Sequence, residues 1–250
     1  MMKGEYNSLK AICKLMPGFS PWPYGWGKFA SSDVYFLLMD FIELKPTLPE
    51  PAMLCARVVE MHQKSASPTG KFGFHVPKCH GKNLQMNTWT SSWAECFAEI
   101  FTWFFNEDVR QNGHWAEYEA AFAKMTARVI PTLLGALQSD GRSIKPCLVH
   151  GDLWDGNTGV SVETGEPIVF DASALYAHNE YEIGMWRREI VCFNQSYIWQ
   201  YHSQFPPSEP AHQWDDRNRL YSIKFNLGHS ISFPGSWLLR EQLVTDHVPP

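Results

Sequence analysis

Apolar side chains recur at Leu9, Ile12 and Leu15 or Met16, a helical spacing that Pro17 and Gly18 terminate, so the pattern predicts a short helix over residues 5–16. Residues 17–28, rich in Pro, Gly and Trp, read as loop. Val34 to Met39 is a short continuous apolar run and predicts a buried strand that leaves into Asp40-Phe41-Ile42-Glu43. Pro49 and Pro51 then sit where a first helical turn tolerates them, with Leu54, Val58 and Met61 following at i, i+4 and i+7. Ser92 and Glu95 predict a capping box ahead of an apolar stripe of Trp93, Phe97, Phe101 and Phe104. A second stripe runs through Trp115, Tyr118, Phe122, Met125 and Val129. Aromatic rows at helical spacing are far more often core than binding surface, and both stripes are assigned to the core.

The period changes between Pro146 and Asp171. Cys147 to Val149, Thr158 to Val162 and Pro167 to Phe170 are short β-like runs, the last two joined by a turn at Glu163-Thr164-Gly165-Glu166. The polar loop His150 to Asn157 is thereby held between strands, and Asp171 closes a hairpin. Helical patterning resumes near Glu180, breaks at Phe205-Pro206-Pro207, and returns from Trp214 through Leu227. No internal repeat or low-complexity segment interrupts the chain.

Composition narrows the function classes. The 250 residues are 44% hydrophobic, enough for a sizeable core, and the formal net charge is −5. That charge gives no basic field for a polyphosphate backbone, so nucleic acid is not expected as a partner. Six scattered cysteines without a C-x-x-C pair fit reduced thiols and a cytoplasmic setting. No apolar run approaches the length of a bilayer span, and Met1-Met2-Lys3-Gly4-Glu5 is followed by no signal region, so no membrane partner is expected either. His75, Cys79 and His80 lie close together but lack a fourth metal ligand at useful spacing.

The candidate chemistry lies in His150-Gly151-Asp152-Leu153-Trp154-Asp155-Gly156-Asn157, which puts an Asp and an Asn five positions apart on a loop leaving a strand, with Asp171 arriving from a hairpin fourteen positions after Asn157. Kinase-like sites use this order: an Asp that orients the attacking hydroxyl, an Asn that holds a metal, and a later Asp that chelates Mg²⁺. Phosphoryl transfer asks for positioning and charge neutralisation, and hard oxygen ligands suit Mg²⁺.

Leu148 to Asn157, L-V-H-G-D-L-W-D-G-N, closely resembles the catalytic loop of the fructosamine and ketosamine 3-kinases, within the wider aminoglycoside-phosphotransferase-like group. Trp154 is the letter that sets it apart from that wider group. Phe72-Gly73-Phe74-His75-Val76-Pro77 with Asn87 and Trp89, Pro167 to Asp171, and Tyr176-Ala177-His178-Asn179-Glu180 extend the resemblance over most of residues 35–245.

The resemblance implies an α+β, protein-kinase-like fold. Residues 45–250 would form a mostly helical C-terminal lobe with a small β-hairpin at the active site, and residues 1–44 an incomplete N-terminal lobe of helix, strand and hinge. It implies ATP and Mg²⁺ as cofactors. The implied reaction phosphorylates the 3-hydroxyl of a ribulosamine or fructosamine, protein-bound or free, and so releases the amine, a deglycation or protein-repair step. Asp152 takes the catalytic position, and Asn157 and Asp171 the metal positions. Met39-Asp40-Phe41-Ile42 takes the adenine hinge, and Glu5 matches the helix Glu that pairs with a phosphate-binding Lys. Phe74, His75, Asn87, Trp89, Trp154 and His178 would border the sugar. The metal-site triplet Asp171-Ala172-Ser173 departs mildly from the family's Asp-Pro-Ala. The family's glycine-rich strand pair and phosphate Lys have no counterpart in these residues, which leads to the expectation of a shortened N-terminal lobe, poor transfer and an exposed strand edge. Two rivals stand beside the kinase: a catalytically inactive binding module, and a kinase of another small alcohol such as an aminoglycoside or choline.

Overall fold

The structure is a computed structural model that describes residues 1–81, 83–85, 88–235 and 237–245. The opening helix α1, Met2–Leu15, buries Gly4, Ser8, Leu9, Ile12 and Cys13 and stops before Pro17. Gly4 is needed there, because a Cβ would lie 2.8 Å from Lys78 Cα and from the Pro77 carbonyl oxygen. After α1, strand β1, Pro23–Lys28, pairs antiparallel with β2, Tyr35–Met39.

Two expectations fail in this ribbon. Residues 17–28 are not all loop: the Gly-Trp-Gly stretch carries no apolar run, yet it supplies the register for β2. The Val34 to Met39 run is a strand but not a buried one. Tyr35, Phe36, Leu38 and Met39 are exposed because, among the described residues, β1 is the sheet partner of β2. A continuous apolar run signals a strand without specifying what covers it.

From β2 the chain passes through Asp40, whose carboxylate accepts the Trp22 N–H at 3.0 Å and the Tyr24 hydroxyl at 2.5 Å. It enters β3, Leu44–Lys45, then α2, Pro51–Lys64, which buries Leu54, Val58 and Met61 as the spacing predicts. A hairpin of β4, Lys78–His80, and β5, Asn83–Gln85, precedes α3, Trp93–Asn112. Ser92 caps α3, its Oγ accepting the Glu95 N–H at 3.2 Å. Helix α4, Ala116–Lys124, continues through a π-helical turn into α5, Ile130–Gly135.

Together with the 3₁₀ turn that follows, residues 116–138 form 23 continuous helical residues, long and apolar enough by length and composition to cross a bilayer. This corrects the expectation that no run approaches that length. Within the fold, Tyr118, Met125, Ile130, Leu134 and Leu137 of this helix are buried in the core.

Strand β6, Cys147–Val149, leads into the polar loop, and β7, Thr158–Ser161, and β8, Pro167–Val169, form the predicted hairpin, extended by β3 along β7. Strand β9, Leu175–Ala177, pairs antiparallel with β6 and has no periodic signal of its own. Helices α6, Glu180–Gly184, α7, Gln195–Gln204, α8, Trp214–Ser232, and α9, Trp237–Thr245, complete the lobe. Its core is aromatic. Trp93 donates its indole N–H to the Tyr221 hydroxyl at 2.7 Å, and Phe97 meets Tyr221 edge-on at 5.3 Å between centroids. Burying each such ring contributes about 1.5–3 kcal/mol. The α+β architecture expected from the sequence, mostly helical with small antiparallel sheets, is the one observed.

Candidate active site

The polar loop is held from beneath by a carboxylate that the sequence reading passed over. Glu182 of α6 is fully buried and accepts the backbone N–H groups of His150 and, at 2.9 Å, of Gly151. Burial works to raise the Glu182 carboxyl, yet His62, with Nε2 3.6 Å from the carboxylate, the charge of His150 and the Gly151 N–H hold it below its ordinary value. The His150 ring bridges the Phe170 carbonyl, 2.9 Å from Nε2, and the Asp152 N–H, 3.3 Å from Nδ1. Gly151 has φ +81°, and a Cβ there would lie 2.2 Å from the Ser173 carbonyl oxygen, so glycine alone lets β6 turn sharply into Asp152.

Asn157 donates its amide to the Asp152 carbonyl at 2.8 Å and to Asp152 Oδ2 at 3.3 Å. That orientation commits the nitrogen and leaves the amide oxygen for other work. The Phe170 N–H binds the Asn157 carbonyl at 3.0 Å, and the next residue, Asp171, stands at φ +55°, a strained conformation that turns the chain at the hairpin end. Helix α1 is tied to this turn by Ser8, whose Oγ accepts the Ala174 N–H at 3.0 Å.

These elements enclose a cleft of about 200 Å³ lined by Met1, Glu5, Cys79, Gly81, Asp152, Asp171 and Ala172. Three of the predicted residues, Glu5, Asp152 and Asp171, therefore share one cavity. Burial pushes the Glu5 carboxyl up to about 7, helped by the charge of Asp171. Burial likewise pushes Asp152 up to about 7, opposed by Lys224 and Arg188 and reinforced by Asp171 and Glu182. Acidic groups crowded this way favour a divalent cation, and Asn157 Oδ1 with the Asp171 carboxylate fits Mg²⁺, which takes few protein oxygens. Among the described residues no group of three His, Cys, Asp or Glu side chains is arranged to hold a metal by itself, and of the His75, Cys79 and His80 grouping the His80 side chain lies outside the described ones.

The other predicted residues lie elsewhere. Met39, Asp40, Phe41 and Ile42 form the crossing between the β1–β2 ribbon and β3, with Phe41 92% exposed. Phe74 is buried against Tyr176, and Trp89 packs 6.0 Å from the same ring. His75 lines a separate cavity of about 540 Å³ with Asn7, Lys10, Lys14 and Tyr176, and its Nε2 lies 3.1 Å from Asn7 Oδ1. Glu5 and Asn7, two residues apart, point to different sides of α1, which is why the two cavities are separate. Asn87 lies outside the described residues.

Trp154 lays its ring against Gly156, where a Cβ would meet it at 2.3 Å, and it remains partly exposed beside the loop. His178 does not border the cleft. It is fully buried, with Nδ1 2.9 Å from the Tyr221 hydroxyl and Nε2 2.9 Å from Ser208 Oγ, and burial lowers it to about 4. Its neighbour Glu180 is taken by Arg217 at 2.8 Å rather than by a ligand.

Lys224 is a further residue that the sequence pattern did not single out: a lysine among Leu220, Tyr221, Ile223 and Leu227 on α8 breaks an apolar pattern, and that break was the available signal.

A family model described as fructosamine kinase matches residues 1–248. A chloroplastic protein-ribulosamine 3-kinase of rice, Oryza sativa subsp. indica, is 31% identical over 98% of this chain and 68% of its own length. The ketosamine-3-kinase of Mus musculus is 28% identical over 92% of this chain and 77% of its own. Among solved structures, a provisionally assigned fructosamine-3-kinase from Haemophilus somnus superposes with a TM-score of 0.76 at 18% identity, over 97% of this chain and 78% of that one. A thermostable mutant of aminoglycoside phosphotransferase APH(4)-Ia superposes with a TM-score of 0.65 at 18% identity, over 99% of this chain and 85% of that one. At these identities the two superpositions speak for the fold.

Proposed function

Because this chain belongs to the fructosamine kinase family and is a phosphotransferase, we propose that it moves the terminal phosphoryl group of ATP to the 3-hydroxyl of a ketosamine and so releases the amine from glycation. The observation that carries the reading is the convergence of Asp152 and Asp171 on one cleft, with Asn157 bonded to Asp152, in the chain order that kinase-like chemistry uses.

In this reading Asp152 accepts the proton of the attacking hydroxyl and fixes its direction. The loop keeps that carboxylate in place through Glu182 below and Asn157 beside it. Asn157 Oδ1 and Asp171 would hold Mg²⁺, which supplies neutralisation of phosphate charge when bound. Glu5 would face the phosphates from α1, and the Met39 to Ile42 crossing would present backbone to the adenine. Trp154, against Gly156, stiffens the loop rather than lining the cleft.

The test is direct. The chain is incubated with Mg-ATP and a ribulosyl- or fructosyl-lysine peptide, and the peptide is followed by mass spectrometry and phosphorus NMR. The expected product carries one phosphate at the sugar 3-position and then loses the sugar. A chain that consumes no ATP with either peptide, under conditions where it is folded, removes the assignment.

A further inference from the structure

Lys78 and Gln85 stand directly opposite one another in the β4–β5 register, so their side chains share one face of that hairpin. Both are buried, at 2% and 1% exposure. Among the described residues neither Lys78 Nζ nor Gln85 Nε2 has a hydrogen-bond partner. An enclosed donor without an acceptor destabilises a fold, an amine especially, and native interiors hold few. Two of them facing each other point to an acceptor that the described residues do not supply.

Among the described residues, the negative charge around them is already committed. Lys224 of α8 is buried with its Nζ 4.2 Å from the Phe225 ring centroid and 4.5 Å from that of Phe104, and it feels the charge of both Lys78 and Asp152. Arg188 Nη2 is also enclosed and has no hydrogen-bond partner among the described residues, while its Nε is taken by Asn226 Oδ1 at 2.7 Å. Glu182, which acts on both lysines, is committed to the His150 and Gly151 N–H groups. Burial, reinforced by Lys224, accordingly holds Lys78 well below the ordinary ammonium range.

The same hairpin meets the chemistry. Cys79 and Gly81 line the cleft with Asp152 and Asp171, and Lys78, one position before Cys79, turns to the hairpin's other face. Resting on the ketosamine-kinase reading, we propose that Lys78 and Gln85, with Lys224 beside Lys78 and Arg188 next to Lys224, seat an anionic substituent of the acceptor. The preferred substrates are then sugar-amines that carry a carboxylate or a phosphate. The anion provides the missing acceptor and draws a proton onto Lys78, so binding strengthens as pH falls.

Two measurements decide this independently. Thermal unfolding of the whole chain is compared in inorganic phosphate, acetate and chloride at matched ionic strength. The midpoint should rise in phosphate or acetate over chloride, more at pH 6 than at pH 8. The Lys78→Met chain, with a higher midpoint of its own because a buried unpaired amine is gone, should lose that rise. No rise in the original chain, or an equal rise in Lys78→Met, overturns the seat. Turnover is then compared for ribulosyl-glycine, ribulosyl-glycinamide and the 5-phosphate of the latter, which separates carboxylate from phosphate. At least one anionic acceptor should exceed the neutral one in kcat/KM by about tenfold or more, a ratio that collapses in Lys78→Met and in Gln85→Leu. Equal turnover of all three acceptors overturns the proposal. Should none be phosphorylated, the kinase reading fails and the unfolding series alone decides the seat.

Discussion

Two buried charge systems lie a short distance apart along α6 and α8, and they are built in opposite ways. Around Glu180 the carboxylate and its guanidinium partner are both answered: Arg217 gives two bonds to the carboxylate, at 2.8 and 3.0 Å, and two more to the Pro210 and Ser208 carbonyls. The Ser208 N–H completes the set at 2.7 Å. Burial alone would raise Glu180, but His178 and Arg217 hold it below its ordinary value. Around Asp152 the balance is left open. Glu5 and Asp152 are pushed up to about 7, Lys224 is pulled down to about 7, and Lys78 Nζ and Arg188 Nη2 lack bonding partners among the described residues. The closed system serves stability. The open one sets stability aside where a ligand is to complete it.

Substitutions should therefore move different quantities on the two sides. The largest effect is expected for Asp152→Asn, which keeps shape and removes the proton acceptor. Turnover on a ketosamine peptide should fall by about 10²–10⁴-fold, while nucleotide affinity measured by calorimetry stays near that of the original chain. A variant that retains near-normal kcat takes Asp152 out of the chemistry. On the closed side, Glu180→Ala strands Arg217 without its partner and should cost about 3–5 kcal/mol in urea unfolding. A loss below about 1 kcal/mol would show that the carbonyls of Ser208 and Pro210 suffice for the guanidinium, and the contrast would weaken. Lys78→Met should go the other way and stabilise the chain by about 1–3 kcal/mol, because it removes an unsatisfied donor. A destabilised Lys78→Met would mean that this amine is satisfied after all.

How much of this was legible in the sequence follows the same division. The Asp152, Asn157 and Asp171 spacing was readable because one loop and one hairpin place them, and short-range connections carry their geometry in the chain order. The aromatic stripes of α3 were readable because helical period and burial coincide. His178 was misplaced: it follows β9 in a motif, but a side chain's direction at a strand end depends on what packs there, and Tyr221 arrives from 43 residues away. The β2 run was misplaced for the converse reason, since its apolar letters say strand and not which face is covered. Glu182, Lys224 and Lys78 escaped because each is one charged letter within a helix or strand, and only the tertiary fold shows that it points inward.

The smallest effect should come from Glu5, a partly enclosed group of the open system. Its carboxyl lies at about 7 against an ordinary 4.5, chiefly through burial and then through Asp171. A carboxyl raised in the folded state contributes its full stabilisation below the unfolded value, near pH 4.5, and loses it as pH rises through about 7. At pH 8 the ionised Glu5 works against the fold, discounted for its contact with solvent. Glu5→Gln has no such titration. It should be more stable than the original chain at pH 8 by on the order of 1 kcal/mol, and the two should converge toward pH 5 in matched thermal unfolding series. Adding Mg²⁺ at pH 8 should narrow the gap, because a cation beside Asp171 relieves the repulsion that Glu5 feels. Curves that stay parallel from pH 5 to pH 8 would place Glu5 outside the field of Asp171 and leave the cleft with two working carboxylates instead of three.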